Sequence, residues 1–123
     1  MREIKFRVWY FDEKRMYQGD ELKDAWDLDL FNGTDPRWSY VMQYTGLLDK
    51  NGVEIYEGDI LEYNSDFKDI LENGERNEVV FDTAKFKAKV DLFLYGTDGT
   101  GRVIYGEVVG NIYENAELIK ELV

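Results

Sequence analysis

Period-two alternation of apolar and polar residues is the strongest pattern in the chain. Ile4, Phe6, Val8 and Tyr10 fall on one parity, with Lys5, Arg7, Trp9 and Phe11 on the other, which predicts a β-strand with the second set facing outward. Asp12-Glu13-Lys14-Arg15 follows as a polar turn, and Met16-Tyr17 resumes the pattern, so a hairpin ending at Gly19-Asp20 is expected. Between Asp20 and Trp38 the alternation stops. Leu22, Trp26 and Leu30 recur at i, i+4 and i+8 within an acidic stretch, which fits a short covering helix that ends at Asn32-Gly33, or an ordered loop pinned by Trp26, Phe31 and Trp38.

Strand signals return at Ser39. Tyr40 to Thr45 is β-branched and aromatic, and Asp49-Lys50-Asn51-Gly52 predicts a type I′ hairpin turn with two positive φ angles at Asn-Gly. Val53 to Tyr56 and Asp59 to Tyr63 read as short strands on either side of Glu57-Gly58. Asn64 to Asn77 is the expected long loop, and Glu78 to Asp82 another strand. Lys85 to Tyr95 shows the longest alternation: Phe86, Ala88, Val90, Leu92 and Leu94 on one parity, Lys85, Lys87, Lys89, Asp91, Phe93 and Tyr95 on the other. After the Gly96–Gly101 turn, Arg102 to Val109 completes the sheet, and Asn111 to Val123 ends in a short helix with Asn115 as N-cap. The expected fold is mainly β, a small barrel over 39–123 with an N-terminal hairpin and acidic segment over 1–38, the whole being one domain of 1–123.

Composition narrows the chemistry. The 123 residues include neither His nor Cys, so the commonest general base, the commonest metal ligand, thiolate zinc sites and Cys nucleophiles are excluded. Carboxylates, Lys, Tyr and the two Ser residues, Ser39 and Ser65, remain; among 26 acids no pair is singled out, and the chain is read as no enzyme. Asp27-x-Asp29 fails as a calcium loop, because the fifth and twelfth positions are Phe31 and Trp38. Gly96-x-x-Gly99-x-Gly101 has the wrong order for a dinucleotide site, and no cofactor is expected. No apolar run approaches the roughly 18 residues of a membrane span, so a soluble, cytoplasmic protein is expected.

The net charge of −11 disfavours phosphate backbones and makes nucleic acid an unfavoured partner. It also admits an acidic mimic of DNA, with Asp20, Glu21, Asp24, Asp27 and Asp29 as its densest segment. The opposing feature is Lys85, Lys87 and Lys89 on one strand face, with Phe93 and Tyr95 as stacking groups: a candidate nucleic-acid or partner contact, or else a solvated edge. Trp9, Phe11, Phe93 and Tyr95, all expected outward, are too many to leave in water. They cover a second core or form a subunit interface, and homo-oligomerisation is the preferred expectation.

Five segments in one order, Ile4-Lys5-Phe6-Arg7-Val8-Trp9, Gln43-Tyr44-Thr45-Gly46-Leu47, Asp49-Lys50-Asn51-Gly52, Ile55-Tyr56-Glu57-Gly58-Asp59-Ile60 and Val109-Gly110-Asn111-Ile112-Tyr113-Glu114-Asn115, resemble the YopX family of phage and prophage proteins. Ala116 stands where that family usually has Pro. The resemblance implies a mostly β fold with a small SH3-type barrel, self-association, and a phage or prophage accessory role in the host cytoplasm with a host or phage protein as partner. It carries no activity and no site residues. Physically the central signature reads as structural, with Gly46, Gly52 and Gly58 at reversals, Tyr44, Leu47, Ile55, Tyr56 and Ile60 in the core, and Asp59 accepting backbone N–H groups at the bend. The competing reading makes Tyr44, Tyr56 or Asp59 ligand-binding groups.

Overall fold

The computed structural model describes residues 5–23, 39–65, 71–81, 86–88 and 92–119. The chain divides into two compact units, Met1–Tyr44 and Thr45–Val123. All the described strand pairs are antiparallel, and the described helical elements are short.

In the first unit the expected hairpin forms. Strand β1 (Phe6–Tyr10) pairs with β2 (Arg15–Tyr17) in the register Val8↔Tyr17 and Tyr10↔Arg15. Its other edge pairs with the start of β3 (Ser39–Leu48), Phe6 opposite Gln43 and Tyr10 opposite Ser39. The turn is closed by the Lys14 amide donating to the Phe11 carbonyl at 3.3 Å. Val8 and Tyr17 form the core, packed by Tyr10, Leu22 and Val41.

The outward assignment of Arg7 and Trp9 is corrected: Trp9 is buried, as is Arg7, whereas Phe6 is exposed. Alternation fixes which residues share a face, but a strand flanked on both edges can be covered on both faces. Phe11, at the turn, is exposed as expected. Gly19–Glu21 is a 3-10 turn leading into Leu22, and residues 24–38, which hold the rest of the expected covering helix, lie outside the described residues.

The second unit contains the end of β3, then β4 (Glu54–Tyr56), β5 (Asp59–Tyr63), β6 (Arg76–Phe81), β7 (Phe86–Ala88) and β8 (Gly106–Asn111). The sheet order is β7-β6-β5-β8, and the β5–β8 register shifts between Ile60 and Leu61. Leu61 and Tyr63, two apart on β5, share the inner face with Val79 of β6 and Val108 of β8. Ile55, Leu71, Leu92, Tyr95 and Val103 complete this core, and the Tyr63 ring meets Tyr95 and Tyr105 edge-on with centroids 5.9 Å apart.

Two expectations fail in this unit. The strand predicted over Lys85 to Tyr95 is strand at Phe86–Ala88, and by Leu92–Tyr95 the chain is a 3-10 turn. Such a turn places residues three apart on one side, which buries Leu92 and Tyr95 together. The expected C-terminal helix is, among the described residues, a single 3-10 turn at Ala116–Leu118, where Asn115 makes no side-chain cap.

Candidate functional site

The signature segments Asp49–Gly52, Ile55–Ile60 and Val109–Asn115 lie in the second unit and hold buried polar groups there. The chain leaves β3 at Asp49, whose side chain is fully buried. One carboxylate oxygen accepts the amides of Asn51 at 2.8 Å and Val53 at 2.9 Å, closing the turn as a short acid at its first position commonly does. The other accepts the Val108 amide of β8 at 2.9 Å, 59 residues along the chain. The Gly52 amide donates to the Asp49 carbonyl at 3.0 Å, and Lys50 donates its amide to Gly106. The expected type I′ turn is corrected: Gly52 has φ +84°, and Asn51 does not join it at positive φ. With both nearby amides turned onto Asp49, the turn is set by the carboxylate.

The second reversal uses Gly58, buried with φ +88°. Its amide donates to Val79 of β6 at 2.8 Å and its carbonyl accepts from Ile112 at 2.9 Å, so backbone comes close on both sides. Asp59, 1% exposed, accepts the Tyr56 amide at 2.7 Å, the role expected for it. Thr45 donates its hydroxyl to the Ile55 carbonyl at 2.7 Å and accepts the Leu47 amide. Tyr44 and Tyr56 are buried; the Lys5 ammonium stands 5.6 Å from the Tyr44 ring centre, and the Tyr56 hydroxyl donates to Glu54.

The third convergence is the C-terminal motif. Asn111 accepts the Tyr113 and Glu114 amides on its side-chain oxygen, while its own amide donates to the Asn115 side-chain oxygen at 3.2 Å. Asn115 thus binds backward onto β8 instead of capping forward. Gly110 makes the approach possible, since a Cβ there would lie 2.6 Å from Asn115 Oδ1 and 2.8 Å from Asn115 Cβ. Gly110→Ala is expected to displace Asn115 and cost about 1–3 kcal/mol, read as a lower thermal midpoint. An unchanged midpoint would mean that the motif does not hold the C-terminal segment.

The lysine face falls only partly among the described residues. Lys87 stands on β7 opposite Val80, Phe93 falls in the 3-10 turn Leu92–Tyr95, and Lys85 and Lys89 lie outside the described residues. Tyr95 is corrected from outward stacking group to core: it is fully buried, accepts a hydrogen bond from Asn77 Nδ2 at 3.1 Å and donates to the Leu61 carbonyl at 3.4 Å. Burial pushes its phenol up to about 12. On the surface, the Arg76 guanidinium 2.9 Å from Glu62 holds that carboxyl below its ordinary value, with help from Asn64. At Asp98, hydrogen bonds from the hydroxyl and amide of Thr100 lower the carboxyl. Among the described residues no three acids gather as metal ligands, and no helix is long and apolar enough to cross a membrane.

Asp59 was legible in sequence as a bend acid. The larger part of Asp49 was not, because its bond to Val108 joins two distant segments; the Asp-x-Asn-Gly turn was the available local signal.

The chain is similar to protein EF1440 from Enterococcus faecalis, known from a crystal structure, with 26% identity and a TM-score of 0.67 over 98% of this chain and 100% of that one. No curated protein matches. The family model described as YopX protein matches residues 5–120, a span that takes in the Asp49 turn, the Gly58 bend and the Asn111–Asn115 clasp, and the chain is therefore a member of the YopX family.

Proposed function

We propose that this chain is a non-enzymatic protein-interaction domain that assembles with copies of itself, a phage or prophage accessory protein built on an SH3-type barrel and working in the host cytoplasm. The observation that carries this reading is the division of labour among its side chains. Four polar side chains of the signature, Thr45, Asp49, Asp59 and Asn111, turn inward onto backbone groups. Large apolar side chains, Phe6, Phe11, Val53 and Ile104, stand outward at 36–48% exposure. Residues used in this way build a scaffold, and recognition falls to the surface.

Burial of Tyr95 takes one stacking group from the nucleic-acid reading, and the charge of −11 opposes it further. Light scattering at micromolar concentration is expected to give a mass that is a multiple of 14.5 kDa. A single species near 14.5 kDa would overturn the reading. In the same preparation, single-stranded DNA and RNA are expected to remain unbound even at about 50 mM salt.

A further inference from the structure

The segment that follows β8 turns back over the outer face of its own sheet. Period two puts Leu61 and Tyr63 of β5 in the inner core, so Ile60 and Glu62 point to the opposite side. Ile60 lies directly opposite Gly110 of β8, and Glu62 opposite Arg76 of β6; residues paired in this way share a face. A Cβ on Gly110 would meet the Asn115 side chain at 2.6–2.8 Å, which places Asn115 on the Ile60 side of the sheet. Arg76 donates from Nε to Glu62 at 2.9 Å and from Nη1 to the Leu118 carbonyl at 3.5 Å, so Leu118 stands on that side too. The chain therefore passes from β8 to β6 across β5, the strand between them. Ile60, which is no part of the inner cluster, is fully buried on this outer face.

The hydrogen bonds within this segment are local. The Tyr113 and Glu114 amides donate to the Asn111 side chain, the Asn115 amide to the Asn111 carbonyl, and the Leu118 amide to the Asn115 carbonyl. Two ties lead to the sheet: the Ile112 amide on the Gly58 carbonyl at 2.9 Å, and Arg76 on Leu118 at the far end. Glu114, Ala116 and Glu117 are exposed, and the Arg76 and Glu62 side chains are 39% and 21% exposed, where an ion pair holds weakly. A stretch with local bonds and a weak distal tie opens at a lower free energy than the strands beneath it.

We infer that residues 112–119 are a strap that opens from the Leu118 end while the sheet stays folded, with Arg76 as its latch and Ile60 as the side chain it uncovers. This goes beyond the assembly reading and does not depend on it. The chain has no Cys, so one introduced thiol reports on one position. Ile60→Cys is expected to react with a thiol reagent well before Val79→Cys, a site in the inner core, and with a shallow dependence on low urea. Labelling of Val79→Cys should rise steeply with urea, as global unfolding does. Adding Arg76→Ala is expected to speed labelling of Ile60→Cys about two- to fivefold, with the urea dependence still shallow. Thermal unfolding of each variant confirms that it is folded.

Equal labelling rates at Ile60→Cys and Val79→Cys, with equally steep urea dependence, would overturn the separate opening. Fast labelling of Ile60→Cys that Arg76→Ala leaves unchanged would overturn the latch. Where a thiol variant fails to fold, amide exchange in the wild-type chain reads the same event. The amides of Asn115 and Leu118 are expected to open at a lower free energy than that of Tyr63, which bonds Glu75 within the sheet, and equal values would overturn the strap.

Discussion

Asp49→Ala is expected to cost about 3–5 kcal/mol, because each part-buried amide left without its acceptor costs toward the lower end of about 1–3 kcal/mol. Three amides, those of Asn51, Val53 and Val108, lose their acceptor together. A domain of this size has about 5–15 kcal/mol in total, so the variant should unfold at a much lower denaturant midpoint. Asp98→Ala is the control. Asp98 also accepts two amides, from Thr100 and Arg102, but it is exposed, and water replaces the carboxylate there. Its expected cost is about 1 kcal/mol or less. Equal losses at the two positions would mean that burial of Asp49 is not what makes it matter.

Tyr95→Ala is expected to lower stability by about 3–5 kcal/mol, in the range for emptying an aromatic site in a packed core. It removes the ring set edge-on to Tyr63 in the middle of the second unit. Tyr95→Phe keeps the ring and loses the bonds to Asn77 and Leu61, for about 1 kcal/mol at neutral pH. The two differ again in alkali. The Tyr95 phenol is raised from 10.0 to about 12 by burial, so the folded state keeps its proton longer than the unfolded chain does. Its contribution is therefore fully present below pH 10 and is lost as pH rises through 12, amounting to about 2–3 kcal/mol. Equilibrium unfolding at a series of pH values should show a shallower alkaline decline in Tyr95→Phe than in wild type. Parallel declines would place the phenol in water.

These residues also show where the sequence was readable. The β1–β2 hairpin, β4, β5 and the bend at Gly58-Asp59 follow from short-range alternation and turn chemistry, and the structure has them. Alternation at Lys85 to Tyr95 misled because an apolar segment can satisfy two geometries. Leu92 and Leu94 continue a period of two, but Leu92 and Tyr95 also lie three apart, and the 3-10 turn that buries both is favoured by the core they fill.

Trp9 and Arg7 misled for another reason. Parity placed them together correctly, but whether the second face of β1 is wet depends on what packs there, which is tertiary information. At Asp49 the turn itself was legible, but from Asn51-Gly52 and not from the acid that closes it. The reach to Val108 required knowing that β8 passes beside the turn. Asn115 is similar, since a side chain suited to capping the next turn instead found the Asn111 amide behind it, over a glycine with no Cβ in the way.

The buried Asp49 carboxylate holds its turn to β8, and native-state amide hydrogen exchange at Asn51, Val53 and Val108 reads that hold amide by amide. Asn51 and Val53 belong to exposed turn residues, whose amides would exchange freely if only water met them. Slow exchange is expected at all three with a common opening free energy, and faster exchange among them in Asp49→Asn while the amides of Ile60 and Leu61 in β5 stay protected. Exchange at free-peptide rates in the wild-type protein, or protection unchanged in Asp49→Asn, would contradict it.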